Sequence, residues 1–209
     1  MATIVVKEPV EDLNKFSFTG VITGKRENSA VQTVYFRAMT QNGARRYNNT
    51  PALHVFDDSI KEKVNQIPLR TKVHVEGYIT SSKNGPEKSA EAAAEGRRRP
   101  LQSFVLTSIE PAEKDAPDEN VIEIVGAVER AYVSRGGNVN FIIVSFREGG
   151  RYMKRIKVEG FPRAGVNYLE FMAAGTRVHI VGHCSTRSEE TDTGTAYYEY
   201  IVLDNIEKA

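Results

Sequence analysis

Hydrophobic and polar residues alternate with period two along much of the chain, most clearly in two stretches. Thr71-Lys72-Val73-His74-Val75-Glu76-Gly77 and Thr176-Arg177-Val178-His179-Ile180-Val181-Gly182 both set Val or Ile against a charged residue and a histidine, then reach a glycine. Period two predicts a strand with one buried face. The glycine marks a bend or bulge of the kind small barrels use at their corners. The likeness extends outward. Asn14 stands six residues before Gly20 and Asn120 six before Gly126; Gly20 to Gly77 is 57 residues, Gly126 to Gly182 is 56. Residues 104–110 and 201–207 align without a gap. Three segments in one order at matched spacing indicate a β-rich unit used twice.

In the first unit, Ile4-Val5-Val6 is a candidate extra strand, and Phe16, Phe18, Val21 and Ile22 begin the first regular one. Residues 25–29 read as a polar turn. The second strand covers 31–39, with Val34, Phe36 and Ala38 on one face and Tyr35, Arg37 and Met39 on the other. In the second unit Val139, Phe141 and Ile143 share a face opposite Asn140, Ile142 and Val144. Phe36 and Phe141 alternate with Val and Ile and are expected in the core. Gln41-Asn42-Gly43 and Glu148-Gly149-Gly150 are hairpin signals. The third strands are basic. One carries Arg45, Arg46 and Tyr47, then an irregular 48–51 stretch and Leu53-His54-Val55; the other carries Arg151, Tyr152, Lys154, Arg155 and Lys157 opposite Ile156 and Val158.

A short helix follows each third strand. Asp57 or Asp58 can cap the first, with Ile60, Val64 and Ile67 in one stripe. In the second, Tyr168, Leu169, Phe171 and Met172 form the apolar side and Gly175 ends it. After the fourth strands the first unit inserts a long loop, 81–100, with an Ala-rich run and Arg97-Arg98-Arg99; the second has only the acidic 188–195. Residues 113–119, acidic with Pro117, read as a solvated linker. The expected division is therefore 1–112 for unit one, 113–119 for the linker and 120–209 for unit two. Each unit runs strand, strand, strand, helix, strand, strand, which is the order of the five-stranded OB barrel. The predicted fold is all-β with small helices: two tandem five-stranded OB-fold barrels, an SH3-like barrel being the nearest rival.

Composition narrows the chemistry. The 209 residues carry a net charge of +1, so any nucleic-acid surface has to come from local patterning. Two stretches supply it. Between Arg130 and Lys157 stand seven basic residues (Arg130, Arg135, Arg147, Arg151, Lys154, Arg155, Lys157) and one acid, Glu148. From Lys25 to His54 stand Lys25, Arg26, Arg37, Arg45 and Arg46 with one acid, Glu27. Compensating acids sit in the linker and at Glu189, Glu190 and Asp192. Tyr35, Tyr47 and Tyr152 interleave with the arginines, and Tyr198 and Tyr200 are the expected accessible pair near the end. Cations that track phosphates beside rings that accept bases are what single-strand binding requires. The Arg97, Arg98, Arg99 run falls in the loop between strands four and five, where OB domains grip nucleic acid. Solvated strand exteriors would also carry Lys and Arg, so the interleaved rings are the discriminating feature.

Other classes find less support. His74 and His179 have no second ligand at metal spacing, and no phosphate loop, nucleophile elbow or carboxylate pair stands out. No enzyme, metal or cofactor is expected. One cysteine, Cys184, precludes an internal disulfide and suits a reducing compartment. The N-terminal residues carry Glu8, Glu11 and Asp12 without a long apolar run, so neither a signal peptide nor a membrane span is expected.

Tyr168-Leu169, then 175–182, then Ser185-Thr186-Arg187 closely resemble the bacterial and phage single-stranded DNA-binding protein family. Residues 120–126 resemble that family's opening strand and 198–206 its closing strand; unit one matches more loosely. The resemblance implies an OB-fold protein that coats and protects single-stranded DNA, without strong sequence preference, during replication, recombination or repair. It implies a bacterial cytoplasmic location, the chain being bacterial or phage-encoded. There are departures. The family's common form has one OB unit per chain, and it often stacks bases on tryptophan, of which this chain has none. The family's acidic C-terminal tail has no counterpart after Lys208, which leaves recruitment of replication proteins open. Weaker binding of duplex DNA or RNA and a homodimer are compatible with the reading. An RNA-binding OB module and a protein–protein scaffold of a replication complex are the alternatives.

Overall fold

The computed structural model describes residues 11–27, 31–42, 45–82, 101–148, 152–162, 167–191 and 194–209; the candidate strand at 4–6 and most of the 81–100 loop lie outside them. Strands β1 (Leu13–Glu27), β2 (Gln32–Asn42), β3 (Arg45–Asn49) and β4 (Ala52–Val55) precede helix α1 (Asp58–Gln66), and β5 (Lys72–Ser82) and β6 (Leu101–Pro111) follow it. β1 pairs antiparallel with β2 and β5, β2 with β4, and β5 with β6, while β4 runs parallel to β6. The five strands close into a barrel, and β3 continues the third strand along β2 beyond a break at Thr50 and Pro51. A closed five-stranded barrel with its helix between the third and fourth strands is the OB architecture expected from the strand order.

The later strands pair in the same sequence. β7 (Glu119–Val133), β8 (Asn140–Glu148) and β9 (Tyr152–Gly160) lead through a 3₁₀ turn (Tyr168–Phe171) to β10 (Arg177–Thr191) and β11 (Gly194–Lys208). β7 pairs with β8 and β10, β8 with β9, β10 with β11, and β9 lies parallel to β11, so the pairings form a second circuit.

The alternation that marks the strands also fills the core. Phe16, Phe18, Phe36 and Phe104 point inward and are fully or almost fully buried, their rings 4.7 to 6.3 Å apart. The second circuit is filled by Ile122, Ile124, Ile142, Val144, Ile156, Val158 and Ile201, and the buried residues of both form one continuous cluster. Asp57 caps α1, accepting from the Ser59 and Ile60 N–H groups at 2.9 and 3.3 Å. Its bond from the Ser59 hydroxyl, then those from the two amides, hold its carboxyl below the usual range.

The repeated glycines are bulges inside longer strands. The β5–β6 register shifts between Glu76 and Gly77, and the β10–β11 register between Val181 and Gly182. A Cβ on Gly77 would lie 1.9 Å from the Val105 carbonyl oxygen, and one on Gly182 2.4 Å from that of Val202. Just past each bulge the repeated asparagine completes the backbone pairing. Asn14 donates to the Ile79 carbonyl at 2.7 Å and accepts from the Ile79 N–H at 3.1 Å. Asn120 does the same with Cys184, both bonds at 2.9 Å. A primary amide has one face that donates and one that accepts, so it substitutes for a missing peptide partner.

β1 and β7 pair antiparallel from Leu13↔Val125 to Thr19↔Glu119, centred on Phe16↔Ile122. The contacts on either side are reciprocal between positions matched in the sequence. Thr50 N–H donates to Thr186 Oγ1 and Arg155 N–H to Ser81 Oγ, at 2.6 and 3.3 Å. Ala52 N–H donates to Glu199 Oε1 at 3.0 Å, and Lys157 N–H to Gln102 Oε1. Such exchange of equivalent contacts is the signature of an isologous, two-fold arrangement, here within one chain.

Three expectations are corrected. Residues 25–27 belong to β1 rather than to a turn, and Lys25 places its ammonium on the Val64 and Ile67 carbonyls at the end of α1, where a cation is favoured. Residues 188–191 and 194–197 are paired arms of a β-ribbon rather than an open loop. The second helix is a single 3₁₀ turn, whose three-residue period brings Tyr168 and Phe171 to the core and leaves Leu169 75% exposed. The acidic connection is largely exposed, and within it Asp118 pairs with Lys72 at 2.8 Å.

Candidate nucleic-acid interface

The outer face of the second circuit carries a continuous strip of rings and cations. Tyr132 on β7 faces Phe141 on β8 in the strand register, their ring centroids 5.0 Å apart at 31°. The Arg130 guanidinium lies 5.9 Å from the Tyr132 ring centre, and the Lys157 ammonium 4.6 Å from that of Phe141. Lys157 also reaches Glu159 at 3.6 Å, and Arg187 holds the other Glu159 oxygen at 3.0 Å. Arg187 then lies 4.3 Å over the Tyr200 ring and 5.8 Å from that of Phe161. Eight side chains from the strands β7 to β11 and the residue after β9 are thus linked, with Arg187 touching both Tyr200 and Phe161 at one end.

Glu159 is almost fully buried, and a buried carboxylate needs paired cations. Its two partners are thereby fixed in place, and the strip retains more positive than negative charge. Tyr132 remains 42% exposed, so its ring is open to stacking. Cations lying over ring faces add attraction of their own, and they hold the rings in orientation before any base arrives.

Phe141 is the main departure from the sequence reading. It was expected in the core beside Phe36; Phe36 is there, while Phe141 is half-buried on the outside. The run Phe141-Ile142-Ile143-Val144 is apolar throughout, and an unbroken apolar run does not reveal which alternate set points inward. Ile142 and Val144 do. Tyr132, Phe161 and Arg187 were also missed. The signal for Tyr132 was its place two residues after Arg130, on the same side of the strand.

The other expected site residues are distributed as follows. Tyr35 and Arg37 point outward from β2, and Arg46 and Tyr47 are exposed on β3, all on the first barrel. Arg135 is exposed in the β7–β8 turn. Arg155 is outward but bound to Glu129 at 2.5 Å. Lys154 donates to Thr80 Oγ1 at 3.1 Å, reaching across to the first barrel. Tyr198 is half-buried opposite Arg187 in the ribbon register. Arg97, Arg98, Arg99 and Arg151 lie outside the described residues, as do the side chains of Arg45, Arg147 and Tyr152. The structure therefore brings Arg130, Lys157 and Tyr200 into one strip.

The matched histidines are structural in character. His179 bridges Glu207 at 2.9 Å and Glu123 at 2.8 Å. The bond to Glu207 chiefly, and that to Glu123, raise its pKa above the ordinary value against the opposing effect of burial. His74 is hydrogen-bonded to Thr19 at 2.9 Å. Among the described residues no group of three or more His, Cys, Asp or Glu is arranged to hold a metal ion. Burial raises the Cys184 thiol well above its ordinary pKa, which makes it an inert packing group.

No family model and no curated protein matches the sequence. Solved structures do match. The wild-type single-stranded DNA binding protein from Thermus aquaticus superposes with a TM-score of 0.66 at 13% identity, covering 96% of this chain and 94% of that one. A deletion mutant of the same protein gives 0.68 at 11% identity, covering 95% of each chain. At these identities the likeness is one of fold, and it runs nearly the whole length of both molecules.

Proposed function

We propose that the chain binds single-stranded DNA, with the strip from Arg130 to Tyr200 as its principal surface. The observation that carries this reading is the strip's contact order: cation, ring, ring, cation, buried carboxylate, cation, ring, assembled from five consecutive partners of one sheet circuit. Bases stack on Tyr132 and Phe141, while Arg130, Lys157 and Arg187 neutralise phosphates and release counterions. Stacking tolerates every base because each has a π face, so the reading includes weak sequence preference. The fold supports it: the Thermus aquaticus structures that share it carry that binding in their names.

In the same reading each pairing circuit is an OB unit, 1–112 and 120–209, joined through 113–119. Tyr35, Arg37, Arg46 and Tyr47 give the first unit its own, more open surface. Once one unit is engaged, the second meets the same strand at raised effective concentration. Coating and protection of exposed strands in replication, recombination or repair, in a bacterial cytoplasm, is the role such binding would serve.

Fluorescence anisotropy with labelled dT oligomer, equal-length duplex and equal-length RNA, each over a salt series, tests the proposal. Tight dT binding with a steep salt dependence and weaker duplex and RNA binding is expected. Preference for RNA would turn the reading to an RNA module. Binding to none of the three at low salt would turn it to a protein scaffold.

A further inference from the structure

A cavity of about 500 Å³ lies beside the first barrel, between the outer side of β1 and β2 and the connection to β7. Arg37, Arg70, Lys72 and Lys114 line it, and Asp118 is the one carboxylate in the lining. Asp118 is already held by Lys72 at 2.8 Å, and the same ammonium donates to the Ala116 carbonyl. Among the described residues, Arg37, Arg70 and Lys114 therefore line the cavity with no further carboxylate beside them.

Arg70 is set there at a cost. Its φ is +66°, the one positive value at a non-glycine position among the described residues. The turn it makes is used in both circuits. Arg70 N–H donates to the Ile22 carbonyl at 2.9 Å, and at the matched position Gly175 N–H donates to the Val128 carbonyl at 2.8 Å. Gly175 adopts φ +85° without penalty, because it has no Cβ; the Cβ of Arg70 is disfavoured in this region. Backbone strain of this kind points to a use for the side chain. Arg37 shows the same asymmetry. It pairs with Val21, whereas the matched pair in the second circuit is Ser145 with Ala127. Both arginines are thus present where the other circuit has small residues.

We propose that this cavity holds an internal phosphodiester of single-stranded DNA, with Arg37 and Arg70 as paired donors and Lys114 adding charge. The proposal rests on the single-strand-binding reading above. Guanidinium groups match the oxygens of a phosphate in a way a point charge does not. Tyr35 lies two residues before Arg37 and on the same outward face of β2, so a base stacked on Tyr35 would lead its backbone toward the cavity.

The test uses the full chain, Arg70→Gly, Arg37→Gln and the double variant, with a dT oligomer lacking a terminal phosphate, over a salt series, beside thermal melts. Arg70→Gly is expected to weaken binding several-fold and to lower the slope of log affinity against log salt by about 0.7, the loss of one phosphate contact. Its melting temperature is expected to equal or exceed that of the wild type, because glycine relieves the backbone. Unchanged affinity and slope in the double variant would overturn the assignment while leaving single-strand binding intact. A variant effect seen only with 5′-phosphorylated dT, or only with an acidic peptide, would overturn it likewise. Wild-type protein that ignores dT at low salt would overturn both this assignment and the reading beneath it.

Discussion

A methyl group on Gly77 would meet the Val105 carbonyl at 1.9 Å, and no rotamer change can move a backbone oxygen. Gly77→Ala is therefore expected to destabilise the fold by about 3 kcal/mol or more, read as a drop in the urea midpoint. Asn120→Ala leaves both the donor and the acceptor of Cys184 without their side-chain partner, at about 2–3 kcal/mol. The spacing of these residues was legible in the sequence as a repeat. Their partnership was not, because Asn14 and Ile79 stand 65 positions apart and only the strand register brings them together. His179 supplies a pH prediction at the same scale. Its folded pKa is raised, so the charged form stabilises the fold below the unfolded value of about 6.5. That contribution is lost as pH climbs through the higher folded value. The melting temperature of the wild type over His179→Gln should be greatest near pH 6 and narrow by pH 9.

Among the elements, the alternating strands were the most readable and the uniformly apolar ones the least. Val34, Phe36 and Ala38 alternate with Thr33, Tyr35 and Arg37 and are all buried as expected, whereas residues 141–144 offered two equivalent phases. The β10–β11 ribbon was hidden for another reason: Ser188-Glu189-Glu190-Thr191 shows no apolar alternation, and only the strand register pairs it with 194–197. The ribbon's contact with β4 gives a sharper test of the element-level account. Glu199 accepts from the Ala52 N–H, and at the matched position Gln102 accepts from the Lys157 N–H. Burial raises the Glu199 pKa despite that bond. Its ionised form therefore opposes folding above the folded pKa and costs nothing below the unfolded value of about 4.3. Glu199→Gln keeps the acceptor and removes the charge. It is expected to raise the melting temperature at pH 8 and to lose that advantage near pH 4.

For the whole molecule, pairing β1 with β7 converts two neighbouring circuits into one body with a shared core and an internal two-fold. The two faces so presented are unlike in detail. The second circuit has a continuous strip of rings and cations; the first has exposed Tyr35 and Tyr47 and the cavity at Arg70. The OB architecture was legible because strand order and helix position survive without knowledge of contacts. The binding strip was legible only in part. Charge enrichment pointed to Arg130, Lys157 and their neighbours, but composition cannot separate Lys157, which lies over a ring, from Lys154, which reaches Thr80. Both lie on the same basic strand, on opposite sides of it. The measurement that bears most directly on the account is the affinity for a dT oligomer of Tyr132→Ala beside the wild type at fixed salt, with melts run in parallel. The expected result is a loss of about 1–3 kcal/mol, roughly five- to 150-fold, with little change in melting temperature because the ring is exposed. Unchanged affinity in a protein that still binds dT tightly would contradict the account, since it would place the bases somewhere other than the strip.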